Sequence, residues 1–500
     1  MKSNKIFLFV FFVSICSIVF AETKTDRTFF MPRPVGTNLA MQMTSWFPFL
    51  NQDKSGTFES NFQIVPFYQA STNGSDLAKY FMFDNKTTLK ISTAADADIN
   101  PGNFNLSTNY DGEISFDPEQ SVWGARMDFY QDLSKILKGL YYSASMPVVK
   151  IENDPGFKEN ITADGGWFNT AKTVLAGGRL SSEWSQVFRY GKIEGKKSVT
   201  GLADTDMKLG YRIFNQKRVK LGVNVALTVP TGNKSTGIYM WEPIMGNGRH
   251  WALGLGLDSD FVLWKNEDYS KQFSLMIFAD YRYLFENRQF RTLELKDKHW
   301  GRFIRMRQQD PDNANNVLGN YIPGINVLTR KVKVEPGSQI DFLASLHFKC
   351  RKWNFELGYN LWARESEDVS LNDSWTSPGT YGLAAANDAY NTNIDVKAGT
   401  QAGAVVFDRL VYPQTAATGV SSATTIKTFG AADDKFITEN DVDVSGHPSA
   451  LSHKILAGIS YDFDFKDRPW FLAIGGSYEF PDDNAALEQW AIWAKVGLTI

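Results

Sequence analysis

Five histidines and two cysteines bound the catalytic and metal chemistry open to this 500-residue chain. They are His250, His299, His347, His447 and His453, with Cys16 and Cys350. No HExxH, phosphate-binding loop or paired CxxC occurs. A hydrolytic His–Ser pair needs its partners at fixed spacing. Gly446-His447-Pro448-Ser449-Ala450 is the nearest approach, but it lacks a following Asn and reads as the polar end of a loop. The acidic run Asp433, Asp434, Glu439, Asp441 and Asp443 offers oxygen ligands of the kind Ca²⁺ takes. Its spacing fits no defined ion loop, so it reads as a solvated acidic loop. Asp310-Pro311-Asp312-Asn313 lacks the glycine and distal Glu of a calcium loop and reads as a turn. The expectation is a chain that is not an enzyme, with no metal and no cofactor.

A larger set of charges recurs at every second residue of apolar windows. It comprises Arg126, Asp128, Lys208, Arg212, Asp258, Asp260, Asp280, Arg282, Glu286, Asp341, Glu356, Arg364, Lys454, Asp462, Glu479 and Lys495. Charges ringing a water-filled pore set ion selectivity. The same charges in mixed sign can also close into salt bridges that fill a lumen.

The windows that carry them are β-strands. In one, Trp251, Leu253, Leu255 and Leu257 alternate with Ala252, Gly254, Gly256 and Asp258. In the next, Phe273, Leu275, Ile277, Ala279, Tyr281, Tyr283 and Phe285 alternate with Ser274, Asp280, Arg282 and Glu286 among others. Period 2 gives a strand one apolar and one polar face. Similar windows fall at 121–132, 139–149, 205–214, 219–229, 339–349, 353–364, 453–463, 470–480 and 490–500. Such lengths exceed the usual 5–6 residues of a soluble strand and suit a tilted strand crossing a bilayer. Aromatics such as Trp251, Phe285, Trp353, Tyr461, Trp470, Tyr478, Phe480 and Trp490 mark the ends of the apolar face, as in the girdles of membrane barrels.

Connections alternate between longer and shorter from residue 133 to the C-terminus. That parity puts the long ones, including 150–203, 287–337 and 365–449, outside and the short turns in the periplasm. Windows at 58–70 and 82–93 alternate weakly, and an even strand count asks for one more strand near 40–48. The fold class expected is therefore all-β: a transmembrane antiparallel β-barrel of about 14 strands, within 12–16. Within the loops, Asn169–Ala176 and Ser182–Tyr190 look helical and suit a segment folded inward over the lumen. Arg302, Arg305 and Arg307 form a basic cluster, and 365–449 reads as mobile surface loop.

Composition agrees with this reading. A net charge of −3 argues against a nucleic-acid partner, and 43% apolar residues allow extensive burial. Lys2 and Lys5 precede an apolar run, Ile6–Phe20, and Val19-Phe20-Ala21 supplies a cleavage site. Residues 1–21 are thus expected to be a signal peptide, leaving 22–500 as one barrel domain in the bacterial outer membrane. Cys350 would then be the sole thiol, with no disulfide to form.

The last strand, Trp490-Ala-Ile-Trp-Ala-Lys-Val-Gly-Leu-Thr-Ile500, resembles the C-terminal insertion signal of bacterial outer-membrane barrels, with Ile500 where Phe is usual. Gly201-Leu-Ala-Asp204, Leu209-Gly210-Tyr211-Arg212, Leu221–Thr228 and Val229-Pro-Thr-Gly232 resemble a hairpin of porin-like proteins. That hairpin is similar to one in an outer-membrane transporter family linked to phenol-degradation pathways. The resemblance implies a channel and no defined solute.

The function expected is passive passage of small solutes, with membrane lipid and solutes as partners, as a monomer or homotrimer. The alternative is a plugged structural or adhesin-like barrel without flux.

Overall fold

The computed structural model describes residues 33–34, 38–42 and 60–499, apart from 165–169, 179–186, 297–299, 375–379, 384–436 and short gaps at 73, 83–85, 95, 105, 108, 217, 269, 311–312, 445 and 483–485. The signal segment, Cys16, His299, Asp433 and Asp434 therefore lie outside the described residues.

Thirteen described strands make up the barrel sheet, twelve from alternating windows and one from within the expected connection 150–203. These are β1 (Ser60–Ser71), β2 (Glu119–Asp132), β3 (Leu140–Asp154), β4 (Lys197–Leu202), β5 (Thr205–Asn215), β6 (Val219–Val229) and β7 (Ala252–Lys265). They continue with β8 (Lys271–Leu284), β9 (Gly337–Cys350), β10 (Trp353–Arg364), β11 (Ala450–Phe465), β12 (Arg468–Pro481) and β13 (Gln489–Thr499). The order around the sheet is β2-β1-β13-β12-β11-β10-β9-β8-β7-β6-β5-β3, and β2 pairs with β3 to close a 12-strand antiparallel barrel. The short β4 extends it. β5 pairs with the lower half of β3, Leu140–Ser145, and β4 with the upper half, Val148–Asn153. A single strand is thus interrupted at Ala203 and Asp204.

Closure at 12 strands lies at the lower end of the expected range, because two expected strands are not in the wall. In the 82–93 window, Thr88–Ile91 pairs with Tyr110–Ser115 in a small sheet beyond the barrel. Near 40–48, Leu39–Gln42 is one short helical turn, and 43–48 lie outside the described residues.

Alternation places polar side chains inside and apolar ones outside. Leu255 is 64% exposed and Ile474 61%, and Leu209, Val225, Leu253, Leu357, Ile455, Leu472 and Ile492 join them on the outer face. Aromatics flank this belt. Tyr68 packs against Trp123 and Trp490 at the long-loop end, and Trp353 against Tyr461 at the other. His453 stacks between Tyr359 and Phe480 within the upper ring.

The long connections fold together. Phe81, Trp241, Trp300, Phe303, Ile325 and Val332, from three of them, share one buried apolar core over the barrel mouth. Of the two stretches expected to be helical, Asn169–Ala176 contains the helix Ala171–Leu175, whose Ala171, Val174 and Leu175 are buried in this cap, whereas in Ser182–Tyr190 residues 182–186 lie outside the described residues and 187–190 are not helical. Parts of 365–449 are also packed rather than loose. Glu367, Ile437, Asp441, Val442 and His447 are all buried.

Candidate functional site

The interior of the barrel is the candidate site, and inter-strand register explains its contents. Across the wall, Lys208, Ala226, Gly254 and Arg282 occupy one row of adjacent positions. The next row is Gly210, Asn224, Gly256, Asp280 and Asp341. Small residues on β6 and β7 thus leave space for long charged neighbours. A Cβ at Gly254 would lie 2.8 Å from Arg282 Cγ, and one at Gly256 2.6 Å from Asp280 Oδ1. Through that space Lys208 reaches Asp280 Oδ2 at 2.6 Å. The Arg282 guanidinium reaches Asp206 at 2.8 Å and Asp280 at 3.2 Å. All but Lys208 are fully buried, so pairing must offset a desolvation cost of several kcal/mol per ion.

A second group lies on the opposite wall, where Asn360, Lys454, Glu479 and Gln489 are successive neighbours. Lys454 contacts Glu479 at 2.8 Å, and Gln489 donates to the same carboxylate at 2.8 Å. Near the strand centres, Gln63, Asp128 and Ser145 are neighbours, and Asp128 accepts from both at 2.6 Å. Arg126 pairs with Asp128 at 3.1 Å.

The N-terminal segment enters this lumen. The Arg33 guanidinium sits between Asp341 at 2.5 Å and Glu479 at 3.4 Å, and all three are buried. Arg126 Nη1 donates to the Asn38 carbonyl at 2.9 Å. Met41 is fully buried. Leu39 closes one side of a cavity of about 80 Å³ at the short-turn end. That is room enough for ordered water. Asp128, Asp206, Asp258, Asp260 and Asp280 line it beside Lys208, Arg212 and Lys220. Arg212 donates to Tyr130 Oη at 2.7 Å and lies over the Tyr130 and Tyr141 rings. Tyr141 and Asn224 donate to Asp258 at 2.5 and 3.1 Å.

Most sequence candidates sit on this inner wall. Arg126, Asp128, Lys208, Arg212, Asp258, Asp260, Asp280, Arg282, Asp341, Glu356, Lys454, Glu479 and Lys495 face it, with Glu356 accepting from Ser345 at 2.7 Å. Glu286 does not. It follows the end of β8 and is exposed at the outer rim, because the chain leaves strand geometry there. Arg364, the last residue of β10, is buried at the mouth against Pro448 O and beside Glu367. Asp462 sits near a short turn, within 3.4 Å of Lys349.

The remaining motifs have structural roles. His447 and Ser449 are buried, and the His447 backbone N–H donates to Glu367 at 3.1 Å. Asp441 accepts from Thr438 at the start of a 3₁₀ turn. Asp310 pairs with Asn313 at a hairpin end, and Arg302 is buried against Glu294.

Sequence reading missed Asp206 and Arg33. Asp206 shares the phase of Lys208 and was legible by alternation. Arg33 precedes the first strand in a segment without periodicity. Gln63, Asn224 and Asn360 share the inward phase but carry no charge to mark them.

No protein-family model matches the chain, and no curated protein matches it. Among solved structures, an outer-membrane channel from Pseudomonas putida F1 is similar with TM-score 0.37 and 9% identity, covering 90% of this chain and 99% of that one. The TodX monoaromatic hydrocarbon channel, as its deltaS2S3 mutant, gives TM-score 0.31 and 9% identity over 89% of this chain and 90% of that one. The CymD monoaromatic hydrocarbon channel gives 0.27 and 7% over 90% and 89%.

Proposed function

We propose that this chain is a bacterial outer-membrane channel, exported by a cleaved signal peptide, that passes small polar solutes through a lumen gated by its own N-terminal segment. The carrying observation is the inversion of polarity. Leu255 and Ile474 stand among the most exposed apolar side chains, while Arg126, Asp280 and Arg282 are buried. In water this arrangement would expose an apolar patch far beyond what soluble monomers carry. In a bilayer it places the belt against lipid and the charges around a polar path. The long loops then form the outer cap and the short turns face the periplasm.

Barrels of 8 strands are filled by their own side chains, and those of 16 or more hold an aqueous channel. A 12-strand lumen is narrow enough for one inserted segment to close. Arg33 and Asn38 fasten that segment to opposite walls. The lumen charges of both signs suit neutral or zwitterionic solutes better than ions of one sign.

The test is liposome swelling with small sugars and amino acids. Inserted protein should admit them, and Arg33→Ala should admit them faster. Inserted protein that admits none in either form would favour the second reading, a barrel without flux. The buried apolar core of the cap is the observation on that side.

A further inference from the structure

Beyond the barrel wall, three strands continue β8, β9 and β10 outward. Asn287–Thr292 pairs with Thr329–Glu335, which pairs with Asp368–Leu371. Val332 and Val334 turn one face of this sheet into the cap core. The opposite face is open to solvent and has an ordered charge pattern. The row nearest the barrel holds Glu335 opposite Asp368, with Tyr283 donating to Glu335. The next row holds Arg288 opposite Lys333, flanked by Ser370. The row above holds Phe290 opposite Lys331, with Phe290 43% exposed. Lys234, exposed at the sheet edge, donates to the Arg288 carbonyl at 3.0 Å. Among the described residues, no carboxylate forms a salt bridge with Arg288, Lys331, Lys333 or Lys234.

We infer that this face binds the phosphate groups of a phosphorylated glycolipid, lipid A, in the outer leaflet. The inference rests on the membrane reading above and deepens it. Two features select the occupant. The face is continuous with the lipid belt, since Tyr283, on the same face of β8 as the exposed Tyr281, donates to Glu335 in its lowest row. The pattern then matches the charge of that leaflet. Arg288, Lys331 and Lys333 present a cation cluster, without a carboxylate partner among the described residues, to phosphates, as cationic surfaces do at anionic membranes. Guanidinium binds phosphate in a bidentate manner. Phe290 offers an apolar contact among the cations.

The test uses the full chain in phosphatidylcholine vesicles containing diphosphorylated lipid A, dephosphorylated lipid A or phosphatidylglycerol. The readout is lipid retained per chain after detergent extraction. The triple variant Arg288→Gln, Lys331→Gln, Lys333→Gln is compared with Lys135→Gln, Lys138→Gln on a short turn. Diphosphorylated lipid A should be retained selectively, the triple variant should lose it about tenfold or more, and the control should keep it. Equal retention by the triple variant, or equal retention of dephosphorylated lipid A or phosphatidylglycerol, overturns the inference. Insertion into plain phosphatidylcholine vesicles, read as protease protection of the strands, separates the two levels. Failure to insert overturns the membrane reading itself, whereas insertion without lipid A retention overturns only the headgroup site.

Discussion

Arg33 Nη2 and Asp341 Oδ2 lie 2.5 Å apart inside the barrel although 308 positions separate them in the chain. Asn360 donates to the other Asp341 oxygen at 2.6 Å, so both carboxylate oxygens are engaged. Removing one member of a buried pair leaves the other uncompensated. Asp341→Ala should therefore loosen the N-terminal segment while the wall stays closed by its backbone bonds. Limited proteolysis near residues 33–42 should proceed about tenfold faster than in the parent chain. An unchanged rate would mean that Arg33 does not fasten the segment.

Arg282 balances two carboxylates, Asp206 and Asp280, and Lys208 contacts only the second. Arg282→Ala should cost about 3–5 kcal/mol of unfolding free energy, measured by urea titration of tryptophan fluorescence. Adding Asp206→Asn should recover part of the loss, because one uncompensated charge disappears. If the double variant is as unstable as the single, burial of Asp206 is not the source of the cost.

Gly210 faces Tyr141 across the β3–β5 pair, where a Cβ would lie 2.1 Å from the tyrosine ring. Gly210→Ala should push Tyr141 off Asp258 and destabilise the barrel by about 1–3 kcal/mol. Gly210→Ala with Tyr141→Ala should recover stability relative to Gly210→Ala. Loss unchanged in the double variant would point to strand pairing rather than the ring.

His250 lies at the mouth, just before β7. Burial pushes its imidazole down from 6.5 to about 4. Its Nδ1 donates to the Phe285 carbonyl at 2.7 Å, and Nε2 accepts from the Gln289 amide at 2.7 Å. A proton on Nε2 would face that amide N–H. The folded value is below the unfolded one, so the contribution is fully present above pH 6.5. It falls as pH drops toward 4, by about 3 kcal/mol in all. Hydrogen exchange at 285–291 should quicken over that window, and His250→Gln should flatten the dependence. An equal pH response in the variant would exclude His250 as its origin.

The barrel was largely legible because alternation, loop parity and inward charge are the same physical fact seen three ways. Asp280 and Arg282 on β8 and Lys454 on β11 stand on the inner face that their phase dictates. Legibility fails where pairing partners are distant or periodicity is absent. The Thr88–Ile91 strand lies in a weakly alternating window expected in the wall, yet it pairs with Tyr110–Ser115 in the cap. The cap itself is held by scattered apolar residues such as Trp241, Trp300 and Val332, which no local pattern joins. Arg33 belongs to no repeat, and its role follows only from the register that brings Asp341 and Glu479 to it.

Single-channel conductance of the full chain and of Arg33→Ala in a planar bilayer tests the gated-channel proposal most directly. Discrete steps are expected from both, with Arg33→Ala open for about tenfold more of the time. Stable insertion of both forms without any steps would contradict the channel, and identical open times would contradict the gate.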